Sequence, residues 1–228
     1  MFRFKQFSVE NERAALKVGT DAVLLGAAMT LPTGSARVLD IGTGTGVIAL
    51  MVAQRCPGAV VDAIDIDLPS VLEAADNFAG SPWSGRLGAY HSALQDWTGT
   101  GYDCIFSNPP FFEDSLRNPD SREAQSRHTD SLSYRDVLAF ASAALAPEGT
   151  VSMILPAGSE RMLLREAASR GLFPFRLLRI SSTASKPPRR IIAEFSRRRV
   201  ETRQEALTLQ DGASRSEEYS ALTNEFYL

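Results

Sequence analysis

The sequence predicts an α/β fold: a Rossmann-like, doubly wound sheet of about seven strands, helices on both faces, and an antiparallel hairpin near the C-terminal end. Three observations predict it. Short apolar runs that read as buried strands alternate with helical patterns from residue 36 to residue 155. The first of these strands runs through Asp40-Ile-Gly-Thr-Gly-Thr-Gly46 straight into an apolar helix, a strand, glycine turn and helix in succession. Two further apolar runs, 175–180 and 190–195, flank a Ser/Pro-containing loop as an antiparallel pair. At 228 residues one domain suffices, expected as an N-terminal addition over 1–30, a core over 36–200 and a C-terminal edge extension over 201–228.

Taken in order, residues 4–9 alternate as a short strand and 10–13 form its turn. Thr20 is a natural N-cap for a helix running to about Met29. Residues 36–39 and 60–65 are strands on either side of the apolar helix 47–53. Asp67 caps the next helix, which the Gly/Pro/Ser run 80–85 stops. Residues 87–92 and 102–107 are the third and fourth core strands, 134–145 a helix, 149–155 the fifth strand and 159–169 another helix, ended at Arg170-Gly171. Residues 207–209 suit a short edge strand and 216–226 a terminal helix. Between the fourth core strand and the helix at 134–145, residues 113–133 are polar without strand or helix period, and a loop of that length in a compact domain is usually functional or disordered.

Gly42, Gly44 and Gly46 let the backbone take positive φ and let a ligand approach main chain that a Cβ would block. A dinucleotide fingerprint needs its third glycine at position 47, which is valine. Asp40, just before the turn, suits a ligand carrying an ammonium or sulfonium better than one carrying phosphates. An acidic residue followed by GxGxG resembles the first motif of the class I methyltransferases, and that resemblance implies S-adenosylmethionine as cofactor. In a doubly wound sheet, Asp65 at the end of the second strand is placed to accept hydrogen bonds from ribose hydroxyls. The resemblance carries adenine recognition over to Asp96. Thr20 and Asp21, at a helix start with free N–H groups, are further candidates for facing the cofactor.

The fourth core strand delivers Asn108-Pro109-Pro110-Phe111. Two prolines hold the segment extended, so the Asn108 side-chain oxygen and the carbonyls of Asn108 and Pro109 converge as acceptors. Such a cluster grips the two hydrogens of an exocyclic amine and favours a pyramidal nitrogen whose lone pair is free to attack; catalysis is then positioning plus stabilisation of developing charge. Phe111 offers a face on which a planar base could stack, while Phe112 suits packing. Asn-Pro-Pro followed by an aromatic resembles the signature of methyltransferases acting on amine or amide nitrogens conjugated to a π-system.

The net charge of −3 conceals a partition: 7 Lys/Arg against 13 Asp/Glu over 1–116, 16 against 9 over 117–203, and 1 against 5 over 204–228. The basic middle segment is the candidate RNA-facing part, with Arg117, Arg122, Arg127 and His128 beside the catalytic motif, Lys186, Arg189 and Arg190 in the hairpin, and Arg197, Arg198 and Arg199 after it. Cys56 and Cys104 have no metal or redox spacing and read as buried thiols; His91 and His128 stand far apart, so no metal is expected. No apolar run approaches the length of a membrane span and the start lacks a signal-peptide core, so a cytoplasmic protein is expected.

Several stretches together, Phe4-Lys-Gln-Phe7, Lys17-Val-Gly-Thr-Asp21, Asp40 to Gly46, Asn108 to Phe112, Arg127-His-Thr129 and Glu225-Phe-Tyr-Leu228, resemble the bacterial family that makes N6-methyladenosine beside the anticodon of a valine tRNA. The resemblance implies a tRNA substrate, an adenine amine held by Asn108 and Pro109, and Phe111 stacked on the base. Other readings of the residues stay open: a guanine amine in ribosomal RNA or a release-factor glutamine as methyl acceptor, a nicotinamide-dependent oxidoreductase, and an RNA-binding module without catalysis. The oligomeric state is not legible.

Overall fold

The computed structural model describes residues 1–15, 17–110 and 132–228. Phe111, Arg117, Arg122, Arg127 and His128 lie outside the described residues.

A central sheet of eight strands organises the chain. In chain order they are β3 (Ala36–Ile41), β4 (Ala59–Asp65), β5 (Leu87–His91), β6 (Tyr102–Ser107), β7 (Leu145–Pro156), β8 (Phe173–Ser181), β9 (Arg190–Ser196) and β10 (Arg203–Thr208). Across the sheet the order is β10-β8-β9-β7-β6-β3-β4-β5. Among them β9 alone runs against the rest, pairing antiparallel with both β7 and β8. The expected seven strands are present, and the short edge strand expected at 207–209 is β10, which begins four residues earlier and pairs parallel with β8. The expected hairpin lies inside the sheet: β9 inserts between β7 and β8, and β10 is the edge. Residues 203–208, RQEALT, read poorly as a strand because the burial an edge strand receives is partial.

Two apolar layers cover the sheet. On one face, Val38, Val61, Ala63, Cys104 and Phe106 pack against α1 (Thr20–Ala28), α2 (Val47–Arg55) and α3 (Leu68–Ala79). On the other, Leu39, Ile64, Ile105 and Val151 pack against α4 (Tyr134–Ala144) and α5 (Glu160–Ser169). Helix α1 is buried from Ala22 to Ala28; each Leu or Val so buried contributes about 1.5–3 kcal/mol. It has no basic residue in its last turn, and its carbonyl end is satisfied from elsewhere in the chain. Arg55 donates to Gly26 O and Met29 O, and Arg176 to Ala28 O, cations placed where the helix dipole favours them.

The ends of the chain meet. Instead of one strand over 4–9, residues Phe2–Arg3 (β1) and Ser8–Val9 (β2) pair as a small hairpin, because Phe4 and Phe7 both turn inward and stack with centroids 4.5 Å apart. The backbone N–H of Lys5 donates to Phe226 O at 2.8 Å, just beyond α6 (Glu217–Thr223), and Phe226 is 2 % exposed. Between α6 and β10, Gln210–Asp211 (β11) and Ser214–Arg215 (β12) form a second small antiparallel pair. Cys56 and Cys104 are buried free thiols, and burial pushes Cys104 up to about 12. Among the described residues no helix is long and apolar enough to cross a membrane, and no group of three or more His, Cys, Asp or Glu could hold a metal ion.

Candidate active site

The strand order reverses between β3, which continues to β4, and β6, which continues to β7. A crevice opens at the carboxyl ends of parallel strands at such a switch point. Here it receives the glycine turn after β3 and Asn108 after β6, and Ser107 Oγ donates to Ile41 O at 2.7 Å to hold the two strand ends together.

The glycine turn is fixed on every side. Gly42, Gly44 and Gly46 have φ of 74°, 55° and 79°, values that L side chains rarely adopt. The N–H groups of Gly42 and Thr43 donate to Ile64 O, and that of Gly44 to Asp65 Oδ2 at 2.8 Å. A Cβ on Gly46 would lie 2.5 Å from Phe78 Cε1, so glycine here lets α3 close against the turn. Asn77, also on α3, donates to Thr45 O and Glu10 O and accepts from the N–H of Glu10. One buried amide thereby ties the turn to the N-terminal segment.

That segment has its own anchor. The Glu73 carboxylate, 1 % exposed, accepts from the consecutive N–H groups of Glu12, Arg13 and Ala14. Burial raises its pKa, but those three donors with the Arg13 charge outweigh burial and hold it below the usual range. Neither Glu73 nor Asn77 stands out in the sequence. The available signal was a polar stripe, Ser70, Glu73 and Asn77, at helical spacing on the inward face of α3.

The candidate cofactor residues fall into three settings. Asp40 is fully buried beneath the turn. Its Oδ2 accepts from Thr43 Oγ1 at 2.7 Å, while its Oδ1 has no partner. Burial, helped by the Asp65 charge and opposed by the Thr43 hydroxyl, pushes Asp40 up to about 7. Asp65 ends β4 with Oδ1 on the N–H of Asp67 and Oδ2 on that of Gly44; burial raises its pKa against those two donors. Asp96 sits exposed in a one-turn 3-10 segment after β5 and pairs with nothing among the described residues. Between them, Ile66 leaves a large apolar side chain 57 % exposed at the carboxyl end of β4, a residue that periodicity alone did not single out.

At the start of α1, Gly19 is the N-cap and Thr20 the first helical residue, so the helix begins one position earlier than expected. Thr20 is exposed, and Asp21 accepts from Arg190 Nε at 2.8 Å. Asn108 is half-buried, Pro109 buried and Pro110 exposed. The Asn108 amide makes no side-chain bond among the described residues.

The basic candidates separate. Lys186 and Arg189 are exposed in the β8–β9 turn, at the same end of the sheet as Asn108, because Arg190 lies opposite Pro156 at the carboxyl end of β7. Arg197, Arg198 and Arg199 follow β9 at its other end, beyond the Ser196–Thr150 pair. There Arg197 donates to the carbonyls of Ser142, Leu145 and Ala146, Arg198 pairs with Glu148, and Arg199 lies over the Phe173 ring.

Comparison with known proteins bears on the same residues. Residues 14–158 match the model of the methyltransferase small domain. Over the whole chain, the sequence is 42 % identical to a tRNA1(Val) (adenine(37)-N6)-methyltransferase of Bacteroides fragilis, of which 97 % is covered. Like-named proteins of Parabacteroides distasonis and Aeromonas salmonicida are 42 % and 40 % identical, again over all of this chain and 97 % of theirs. The chain belongs to the tRNA1(Val) (adenine(37)-N6)-methyltransferase family. Solved structures bear out the fold. A methyltransferase from Pyrococcus furiosus superposes with a TM-score of 0.61 at 20 % identity, covering 84 % of this chain and 89 % of that one. A protein of Agrobacterium tumefaciens described as a predicted O-methyltransferase reaches 0.68 at 19 % identity, covering 90 % and 96 %. As a member of this methyltransferase family, the chain places its glycine turn and Asn-Pro-Pro segment in one crevice.

Proposed function

We propose that the chain is a cytoplasmic enzyme that transfers a methyl group from S-adenosylmethionine to the exocyclic N6 amine of an adenine in tRNA, next to the anticodon of a valine tRNA. The observation that carries the reading is Asn108: a half-buried amide, without a side-chain bond among the described residues, followed by Pro109 and Pro110 at the end of the strand beside the glycine turn.

The residues present fit the cofactor. The crevice offers a glycine turn without side chains at 42, 44 and 46, a buried oxygen on Asp40 without a hydrogen-bond partner among the described residues, and carboxylates at Asp65 and Asp96, suited to a ligand with an ammonium, a sulfonium, ribose hydroxyls and an adenine amine. In this reading Asp65 holds the ribose, Asp96 the adenine amine, and Thr20 and Asp21 close the crevice from α1. When bound, the cofactor supplies an electrophilic methyl group. The Asn108 side-chain oxygen and the main-chain carbonyls beside it accept both hydrogens of the target amine, which localises the nitrogen lone pair and stabilises positive charge growing there. No general base with a perturbed pKa is needed.

Transfer of labelled methyl from S-adenosylmethionine to total tRNA, ribosomal RNA and release factor in parallel, with nucleoside analysis of labelled RNA, tests the reading. Label in tRNA as N6-methyladenosine is expected. Label confined to ribosomal RNA or to protein would replace the substrate, and no label anywhere would overturn the catalytic reading.

A further inference from the structure

The switch point divides the carboxyl end of the sheet by charge. On the β4 and β5 side, the turns at 65–67 and 92–101 carry Asp65, Asp67 and Asp96 and neither lysine nor arginine. On the β7, β9 and β8 side the sign reverses. Arg135 stands at the start of α4, Arg161 and Arg165 lie one helical turn apart on the outward face of α5, opposite the buried Leu163 and Ala167, and Lys186 and Arg189 stand in the β8–β9 turn. The elements that carry them adjoin: Ala157 just before α5 donates its N–H to Arg189 O, and α4 packs against α5.

Among the described residues, the acids of α4 and of the first two turns of α5 are already engaged. Glu160 is paired with Arg179, Glu166 with Arg170, and Asp136 is turned back into the capping box of Ser133. All five cations are exposed, and none has an ion pair among the described residues. Among the described residues, this pairing leaves unpaired positive charge on one side of the crevice, in a chain of net charge −3.

We infer that Arg135, Arg161, Arg165, Lys186 and Arg189 form the track that holds the sugar–phosphate backbone of the RNA substrate. The inference rests on the proposed function and adds where the RNA lies. With strands about 4.8 Å apart, the β8–β9 turn that carries Lys186 and Arg189 lies two to three strand spacings, roughly 10–15 Å, from β6, which delivers Asn108. Backbone held on that side leaves the target base to enter from α4 and α5, and the cofactor to keep the acidic side to itself. The arginine triplet at 197–199, at the opposite end of the sheet, takes no part.

Fluorescence anisotropy with a short RNA hairpin of the valine tRNA anticodon-arm sequence, followed across about 50–200 mM salt, tests the track. The double variant R161E/R165E is expected to weaken binding by more than about tenfold and to flatten the plot of log affinity against log salt by about one to two units. Variant R189E should do the same to a smaller degree, and R198E, at the far end, should leave both unchanged. Calorimetric S-adenosylhomocysteine affinity, expected unaltered in all three, confirms that the variants are folded. Wild-type affinity and slope in R161E/R165E, or an equal loss in R198E, would overturn the track. If wild type methylates no tRNA while hairpin binding still depends on Arg161 and Arg165, the track stands and the substrate reading falls.

Discussion

Arg190 donates from Nε to Asp21 Oδ2 at 2.8 Å, joining the start of β9 to the first turn of α1 across 169 residues of sequence. Both side chains keep about a quarter to a third of their surface, so the bond itself contributes at most about 1 kcal/mol. Its structural effect is to fix the start of α1 against the basic half of the crevice. A double-mutant cycle of Asp21→Asn and Arg190→Ala by thermal unfolding should give a coupling of about 0.5–1 kcal/mol, with weaker S-adenosylhomocysteine binding in both single variants. Strict additivity would show that the pair is not coupled in solution.

Asn108→Ala removes the side-chain acceptor and leaves the glycine turn intact. The turnover number should fall by about 100–1000-fold, the effect of losing one preorganised partner of developing charge. Cofactor affinity, measured separately by calorimetry, should stay close to that of wild type. A variant that turns over normally would remove Asn108 from the chemistry.

Gly46→Ala places a methyl group where Phe78 Cε1 stands 2.5 Å away, in a residue with φ of 79°. Strain and overpacking together should cost about 3 kcal/mol, a drop in melting temperature of roughly 6–12 °C for a chain of this size. A melting temperature within a degree or so of wild type would mean that α3 does not close against the turn as described.

Asp40, pushed up by burial to about 7 from an ordinary 3.8, makes stability depend on pH. Because the folded state holds this proton more tightly than the unfolded chain does, the stability it contributes is complete below about pH 4 and is lost as pH rises through about 7. The loss approaches roughly 1.4 kcal/mol for each pH unit inside that window. Asp40→Asn cannot ionise, so wild type should lose stability relative to the variant as pH climbs from 4 to 7 in the cofactor-free protein. Parallel melting curves across that range would show that Asp40 does not titrate there.

The strands carrying the crevice were legible because buried parallel strands read as near-continuous apolar runs; residues 102–107 were expected as a strand and are one. The Asp67 cap was legible too, being local: its carboxylate accepts from the N–H of Ser70. What the sequence hid depends on distant partners. Glu73 reads as an ordinary surface glutamate until the N–H groups of residues 12–14 fold onto it, 59 to 61 positions away. The Arg197-Arg198-Arg199 run reads as a nucleic-acid contact, yet the direction of β9 carries it to the end of the sheet away from Asn108, and Arg197 is spent on the last carbonyls of α4. A one-residue shift at the start of α1 has a local cause: Gly19 takes the extended cap conformation, with φ of −117°.

The glycine turn, held at once by Ile64, Asp65 and Asn77, is a mould set before anything is poured into it. A ligand entering such a mould loses little to ordering the protein around itself, so affinity follows from complementarity alone. The same rigidity works against discrimination. For the cofactor proposed here, the charged form and the form that has given up its methyl group present the same ribose, base and amino-acid ends to the same donors and acceptors. Only the charge on sulfur distinguishes them, so in this reading discrimination between fresh and spent cofactor falls to the carboxylates around the turn, Asp40 and Asp65.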